Sequence, residues 1–116
     1  MRTYWLRYKE IKFGEHDRIL VFPCGGDDGG VALCRELAAQ VPLGLVVGID
    51  PSDDAIRAAR YAARDIDNVM FVWMDGPEIP WRDGFFTHAI LKDTAPVLDE
   101  IHRVLAEGGQ LITQLD

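Results

Sequence analysis

Leu45-Val46-Val47-Gly48-Ile49-Asp50-Pro51-Ser52-Asp53-Asp54 is an apolar run that ends on an acid, a proline and a helix start. Five residues of low polarity bounded by turn formers predict a strand covered on both faces. Ser52 is a good N-cap, and Asp53 and Asp54 suit the positive first turn of a helix. Ile56, Ala59 and Ala63 then mark a buried helical face, with Arg57, Arg60 and Arg64 mostly outside. Asn68 breaks that helix.

The same alternation extends in both directions. Upstream, Ile19-Leu20-Val21-Phe22 is a strand candidate that stops at Pro23 and enters a Gly/Asp loop, residues 23–30. From Gly30, the residues Val31, Cys34, Leu37, Ala38 and Val41 recur at helical steps, and Pro42 and Gly44 end the pattern. Downstream, Val69 to Met74 predicts a third strand. Asp75 to Gly84 holds two Pro and two Gly and reads as a loop. Phe85 to Leu91 predicts a fourth strand. Val97, Ile101, Val104 and Leu105 give Pro96 to Leu105 helical spacing. Glu107-Gly108-Gly109 reads as a turn, and Gln110 to Leu115 as a fifth strand. Strands alternating with helices need crossover connections and so predict a parallel sheet. The expected fold is a Rossmann-like, doubly wound α/β sheet of about five strands, in one domain over residues 1–116.

Composition narrows the classes of function. Twelve basic and nineteen acidic side chains give a net charge of −7 over 116 residues. That balance argues against a nucleic-acid partner, which needs a basic surface. No segment approaches the ~18 consecutive apolar residues of a membrane span, and the charged N-terminus is unlike a signal peptide. Cys24 and Cys34 do not make a disulfide framework. A soluble, cytoplasmic protein with free thiols is expected.

Ligands of parallel α/β sheets bind outside the carboxyl ends of the strands. The residues there are Cys24 to Gly30, Asp50-Pro51-Ser52, Asp75-Gly76 and Lys92-Asp93. Four glycines among residues 23–30 allow a sharp turn and a close backbone approach. The spacing is not that of a dinucleotide or Walker loop, and Asp27 and Asp28 would repel a pyrophosphate. A ligand with a positive centre and no phosphates fits better. Asp50 can accept from both hydroxyls of a ribose, or can cap the helix after it. Asp75 can accept from an exocyclic amine, and an Asp before Gly is also an ordinary turn former. Asp93 is a candidate base or a solvated loop carboxylate. His16, His88 and His102 sit in separate elements without metal-ligand spacing, so no metal is expected. Cys24 is either a reactive thiol or a small packed residue.

Together these stretches resemble the class I S-adenosylmethionine-dependent methyltransferases, from about Asp17 to Asp116. Arg18 to Gly26 stands where that family has a strand and a glycine-rich loop. Val46-Val47-Gly48-Ile49-Asp50-Pro51-Ser52 resembles its second motif. Asn68 to Asp75 and Ile79-Pro80-Trp81-Arg82-Asp83-Gly84-Phe85-Phe86 resemble its third region. Leu98 to Gly109 resembles the helix and Pro-Gly-Gly turn before the fifth strand, with Glu107 in place of Pro. The chain departs from the pattern at Val21, usually acidic, at Pro23, usually Gly, and at Asp27-Asp28.

The resemblance implies S-adenosylmethionine as cofactor. It implies that Asp50, with Pro51 beside it, holds the ribose and that Asp75, with Gly76, meets the adenine. Cys24, Gly25 and Gly26 would line the methionine end, and Asp27 or Asp28 would face the ammonium group. Asp93 is the candidate catalytic or acceptor-orienting residue. The acceptor is not legible. The family usually has two further strands, so the fifth strand would be a bare edge unless a partner chain or the N-terminal segment covers it. Self-association is expected on that ground. A catalytically inactive, methyltransferase-like partner module is the alternative reading, and a nucleotide-binding oxidoreductase domain fits the acidic loop less well.

Overall fold

The computed structural model describes residues 2–4, 11–25, 28–92 and 98–113, without the side chains of 2–4, 28 and 29. Its elements are β1 (Arg2–Tyr4), β2 (Arg18–Phe22), α1 (Asp28–Gln40), β3 (Leu45–Asp50), α2 (Asp53–Ala62), β4 (Val69–Trp73), β5 (Phe86–Leu91), α3 (Leu98–Val104) and β6 (Leu105–Thr113). The strands form one sheet in the order β1-β6-β5-β2-β3-β4, and every pair is parallel. The five expected strands are all present. β2 stands between β3 and β5, so the strand order reverses there and opens a crevice at the carboxyl ends.

Successive strand residues point to opposite faces, and this divides the apolar side chains between two cores. Ile19, Val21, Val46 and Phe71 pack under α1 and α2, against Leu37, Val41, Ile56 and Ala59. Leu20, Phe22, Val47 and Ile49 pack on the other face, against Ile101 and Val104 of α3. Ser52 caps α2 as its sequence position predicts: its Oγ accepts from the Ala55 N–H at 3.1 Å. That second face has less helix over it. Residues 74–85 join β4 to β5 without any helix, and buried Ile79 with half-buried Trp81 and Phe85 fills the space instead.

Two details differ from the sequence reading. β1 is a sixth strand, pairing Arg2 with Gln110, Thr3 with Leu111 and Tyr4 with Ile112. The N-terminal segment therefore covers the β6 edge that was expected to be bare, by the second of the two routes named above. The glycine turn at 107–109 also lies inside β6 rather than before it. Phe86 pairs with Leu105 and His88 with Gln110, so the extra residues of β6 bulge out, with Gly108 at φ +78°. Among the described residues, no helix is long and apolar enough to cross a membrane.

Gly44 closes α1 by close approach. A Cβ there would lie 2.0 Å from the Asp17 carbonyl oxygen, which is backbone and cannot swing aside. Gly44→Ala is expected to cost about 1–3 kcal/mol, read as a lower urea midpoint. His88 gives a second expectation. It is buried among Thr87, Asp17 and Phe13, with Nδ1 2.9 Å from Thr87 Oγ1 and 3.7 Å from Asp17 Oδ2. Burial holds its imidazole below the usual histidine range, with Asp17 opposing. The folded state thus binds the proton less readily than the unfolded chain. Stability should be full above the ordinary histidine value and fall as pH drops below about 6.5. Urea midpoints taken across that window should show the fall, and His88→Gln should flatten it.

Candidate functional site

The site is assembled where β2, β3 and β4 end. Each strand end is tied to its neighbour: the Cys24 N–H donates to the Ile49 carbonyl, Met74 N–H to Asp50 O, and Lys92 N–H to Phe22 O, each at 2.9 Å. These bonds set Gly25, Asp50, Pro51, Asp75 and Gly76 along one side of the sheet.

Asp50 is the centre of this arrangement. It is only 6% exposed. One carboxylate oxygen accepts from the Gly25 N–H at 2.8 Å, and the other from the Ser52 N–H at 2.9 Å. Gly25 has φ +68°, a left-handed conformation that a residue with a side chain adopts only at a cost. That conformation bends the chain sharply after the nitrogen that binds Asp50. Burying a carboxylate is expensive unless it is hydrogen-bonded, and the two donors offset that cost. An ionised carboxylate has about four acceptor positions. Gly25 and Ser52 use one on each oxygen, so each oxygen keeps a lone pair for a ligand hydroxyl.

Pro51 and Ser52 make the turn after Asp50. Trp73, at the end of β4, donates from Nε1 to the Pro51 carbonyl at 2.9 Å and so braces this turn from the neighbouring strand. The sequence reading missed that role; the available signal was an indole at the last position of a strand beside Asp50. Asp75 and Gly76 are exposed, directly after Met74, and Gly76 has φ +111°. Gly26, Asp27 and Asp93 lie outside the described residues.

Cys24 is fully buried and packs in the core under α1 rather than facing the crevice. Burial pushes its thiol up to about 12, with Cys34 and Asp50 nearby adding to the effect. Burial likewise pushes Cys34 up to about 12. Thiolate is the reactive form, so the reading of Cys24 as a reactive thiol gives way to the packed one.

A second cluster was also missed. Arg103 of α3 reaches the 79–84 loop and holds it. Its guanidinium donates to the carbonyls of Ile79 at 2.7 Å and Trp81 at 2.9 Å, and to Asp83 at 2.6 Å. Glu100 grips the same guanidinium at 2.8 and 2.9 Å, and also accepts from the Ile79 N–H at 2.8 Å. The signal was an acid and an arginine three positions apart on a short helix. Two cavities among the described residues lie away from Asp50. One of about 340 Å³ sits between α2 and the free edge of β4, and one of about 160 Å³ lies beside His88 and residues 106–110.

A family model described as a methyltransferase domain matches residues 28–113. The chain belongs to the class I S-adenosylmethionine-dependent methyltransferase family. The chain is 29% identical over 96 residues to the demethylmenaquinone methyltransferase of Staphylococcus aureus (strain JH9), covering 77% of this chain and 39% of that protein. It thus spans well under half the length of that curated relative. A solved SAM-dependent methyltransferase from Methanosarcina mazei is 28% identical with a TM-score of 0.63, over 81% of this chain and 50% of that one. The geranyl diphosphate C-methyltransferase of Streptomyces coelicolor A3(2), solved with Mg²⁺, geranyl diphosphate and S-adenosyl-L-homocysteine, shares the fold. Its TM-score is 0.71 at 19% identity, over 86% of this chain and 40% of that one.

Membership of this family does not make Cys24 reactive. A thiol reagent such as Ellman's is expected to leave both cysteines unlabelled in the native methyltransferase-family domain at pH 8, and to label both after unfolding. Fast native labelling of a single thiol, removed by Cys24→Ala, would contradict the buried placement.

Proposed function

We propose that this chain binds S-adenosylmethionine at the carboxyl ends of β2, β3 and β4 and serves the transfer of its methyl group to an acceptor. The observation that carries the reading is Asp50, held by Gly25 and Ser52 with acceptor capacity to spare beside the reversal in strand order. A ribose offers two adjacent hydroxyls, which match the two oxygens of that carboxylate.

The cofactor supplies a methyl group on a sulfonium: an acceptor lone pair takes the methyl carbon, the carbon–sulfur electrons return to sulfur, and S-adenosylhomocysteine remains. The protein therefore needs to align the reactants and exclude water rather than supply a strong catalytic group. In this reading Asp50 orients the ribose, with Pro51 shaping the turn beneath it. Asp75 accepts from the adenine amine, with Gly76 giving room. The Cys24 backbone, Gly25 and Gly26 line the methionine end, and Asp27 attracts the ammonium group. Asp93 is the group that would orient the acceptor or take its proton. The relatives' family membership supports the reaction class, and their named acceptors remain their own.

Calorimetric titration with S-adenosylmethionine and S-adenosylhomocysteine tests this. Binding is expected in the wild type and lost in Asp50→Ala. Asp75→Asn, at an exposed position, should weaken it by about tenfold while leaving the fold intact. A folded wild type that gives no heat with either ligand would overturn the reading and favour a partner module that has lost the cofactor.

A further inference from the structure

We infer that Arg103, locked by Glu100, is a positioning residue for the adenine edge of the site. The inference rests on the reading of Asp75 given above and adds what sets that residue in place.

Asp75 has no fixing contact of its own among those described; its position comes from the two ends of a short span. On one side, Met74 is buried and its N–H donates to the Asp50 carbonyl at 2.9 Å. On the other, Ile79 is 1% exposed, and both of its backbone groups are held by α3. Its N–H donates to Glu100 Oε1 at 2.8 Å, and its carbonyl accepts from Arg103 Nη2 at 2.7 Å. Between these anchors lie only Asp75, Gly76, Pro77 and Glu78, all exposed. Pro77 fixes one φ in the span. The arch has little slack, so moving either anchor moves Asp75.

Arg103 also sets the rest of the crossover. It binds the Trp81 carbonyl and the Asp83 carboxylate, and its own carbonyl accepts from the Gly84 N–H at 2.9 Å. A helix would hold such a connection through its internal hydrogen bonds. Here one guanidinium satisfies the carbonyls of Ile79 and Trp81 from outside, and Glu100 fixes the orientation of its fork. Lysine offers a point charge without the planar fork and cannot reproduce this set.

The test measures discrimination, which a general loss of stability would not change. Affinities for S-adenosylhomocysteine and for S-inosylhomocysteine, whose ring bears a carbonyl in place of the amine, are compared in wild type, Arg103→Lys, Glu100→Gln and Arg35→Lys. Wild type should prefer the adenosyl ligand by about tenfold or more, the worth of one hydrogen bond to a charged group. In Arg103→Lys and Glu100→Gln the preference should collapse towards unity. Amide exchange at Gly76, Glu78 and Ile79 should quicken in the same variants. Arg35→Lys alters an exposed pair with Asp65, away from the 79–84 loop, and should keep the preference; its collapse there would point to general loosening and overturn the inference. So would an unchanged preference in folded Arg103→Lys, or an equal weakening for both ligands. A wild type that binds both ligands equally well sinks this inference alone. A wild type that binds neither sinks the proposed function, and this inference with it.

Discussion

The Asp50 carboxylate is the constraint on which the ligand side of the structure depends. It is nearly out of solvent, and two backbone N–H groups, from Gly25 and Ser52, donate to it and offset the cost of burying it. Each of those donors is itself a consequence of local chemistry. Gly25 takes a left-handed φ, and Ser52 sits at the cap of α2, where the backbone has not yet become helical. One side chain thereby joins the loop after β2 to the turn after β3. β2, which borders the reversal in strand order, is tied to β3 at its end, and the crevice acquires a fixed acceptor.

The two faces of the sheet are held by different physics. Under α1 and α2 the packing is regular: apolar residues at helical spacing meet apolar residues at strand spacing. Among the described residues, the opposite face has only the short α3 and an irregular crossover. An irregular segment lying on a core leaves backbone polar groups that need partners. Arg103 and Glu100 supply them, which is why a charged pair on a seven-residue helix matters more here than surface ion pairs generally do. Three of its hydrogen bonds go to backbone groups of Ile79 and Trp81 that have no ladder or helix to serve them.

Much of this was legible in the residues. Short apolar runs and period-3.6 patterns marked the strands β2 to β6 and the buried faces of α1 and α2, because a side chain's direction along a strand or helix follows from local geometry alone. The Ser52 cap was readable for the same reason. The Asp50 position was readable because an acid that ends a buried strand has few places to point. Other features were not readable. β1 is three residues long, and its pairing with Gln110 to Ile112 joins the two ends of the chain, which no local pattern encodes. The bulge in β6 depends on its register against β5, so the glycines at 108 and 109 looked like a boundary when they are an interruption.

The sequence by itself determined the alternation of strands and helices, the parallel sheet and the place of the acid at the end of β3, since each depends on the chemistry of neighbours along the chain. Tertiary structure alone decided which donors Asp50 meets, that Cys24 faces the core and not the crevice, that Trp73 braces the turn at Pro51, and that Arg103 holds the loop at Ile79. Apart from the local bond between Ser52 and Asp50, those contacts join residues about twenty or more positions apart. Their existence depends on how the strands order themselves and where each connection is laid across the sheet.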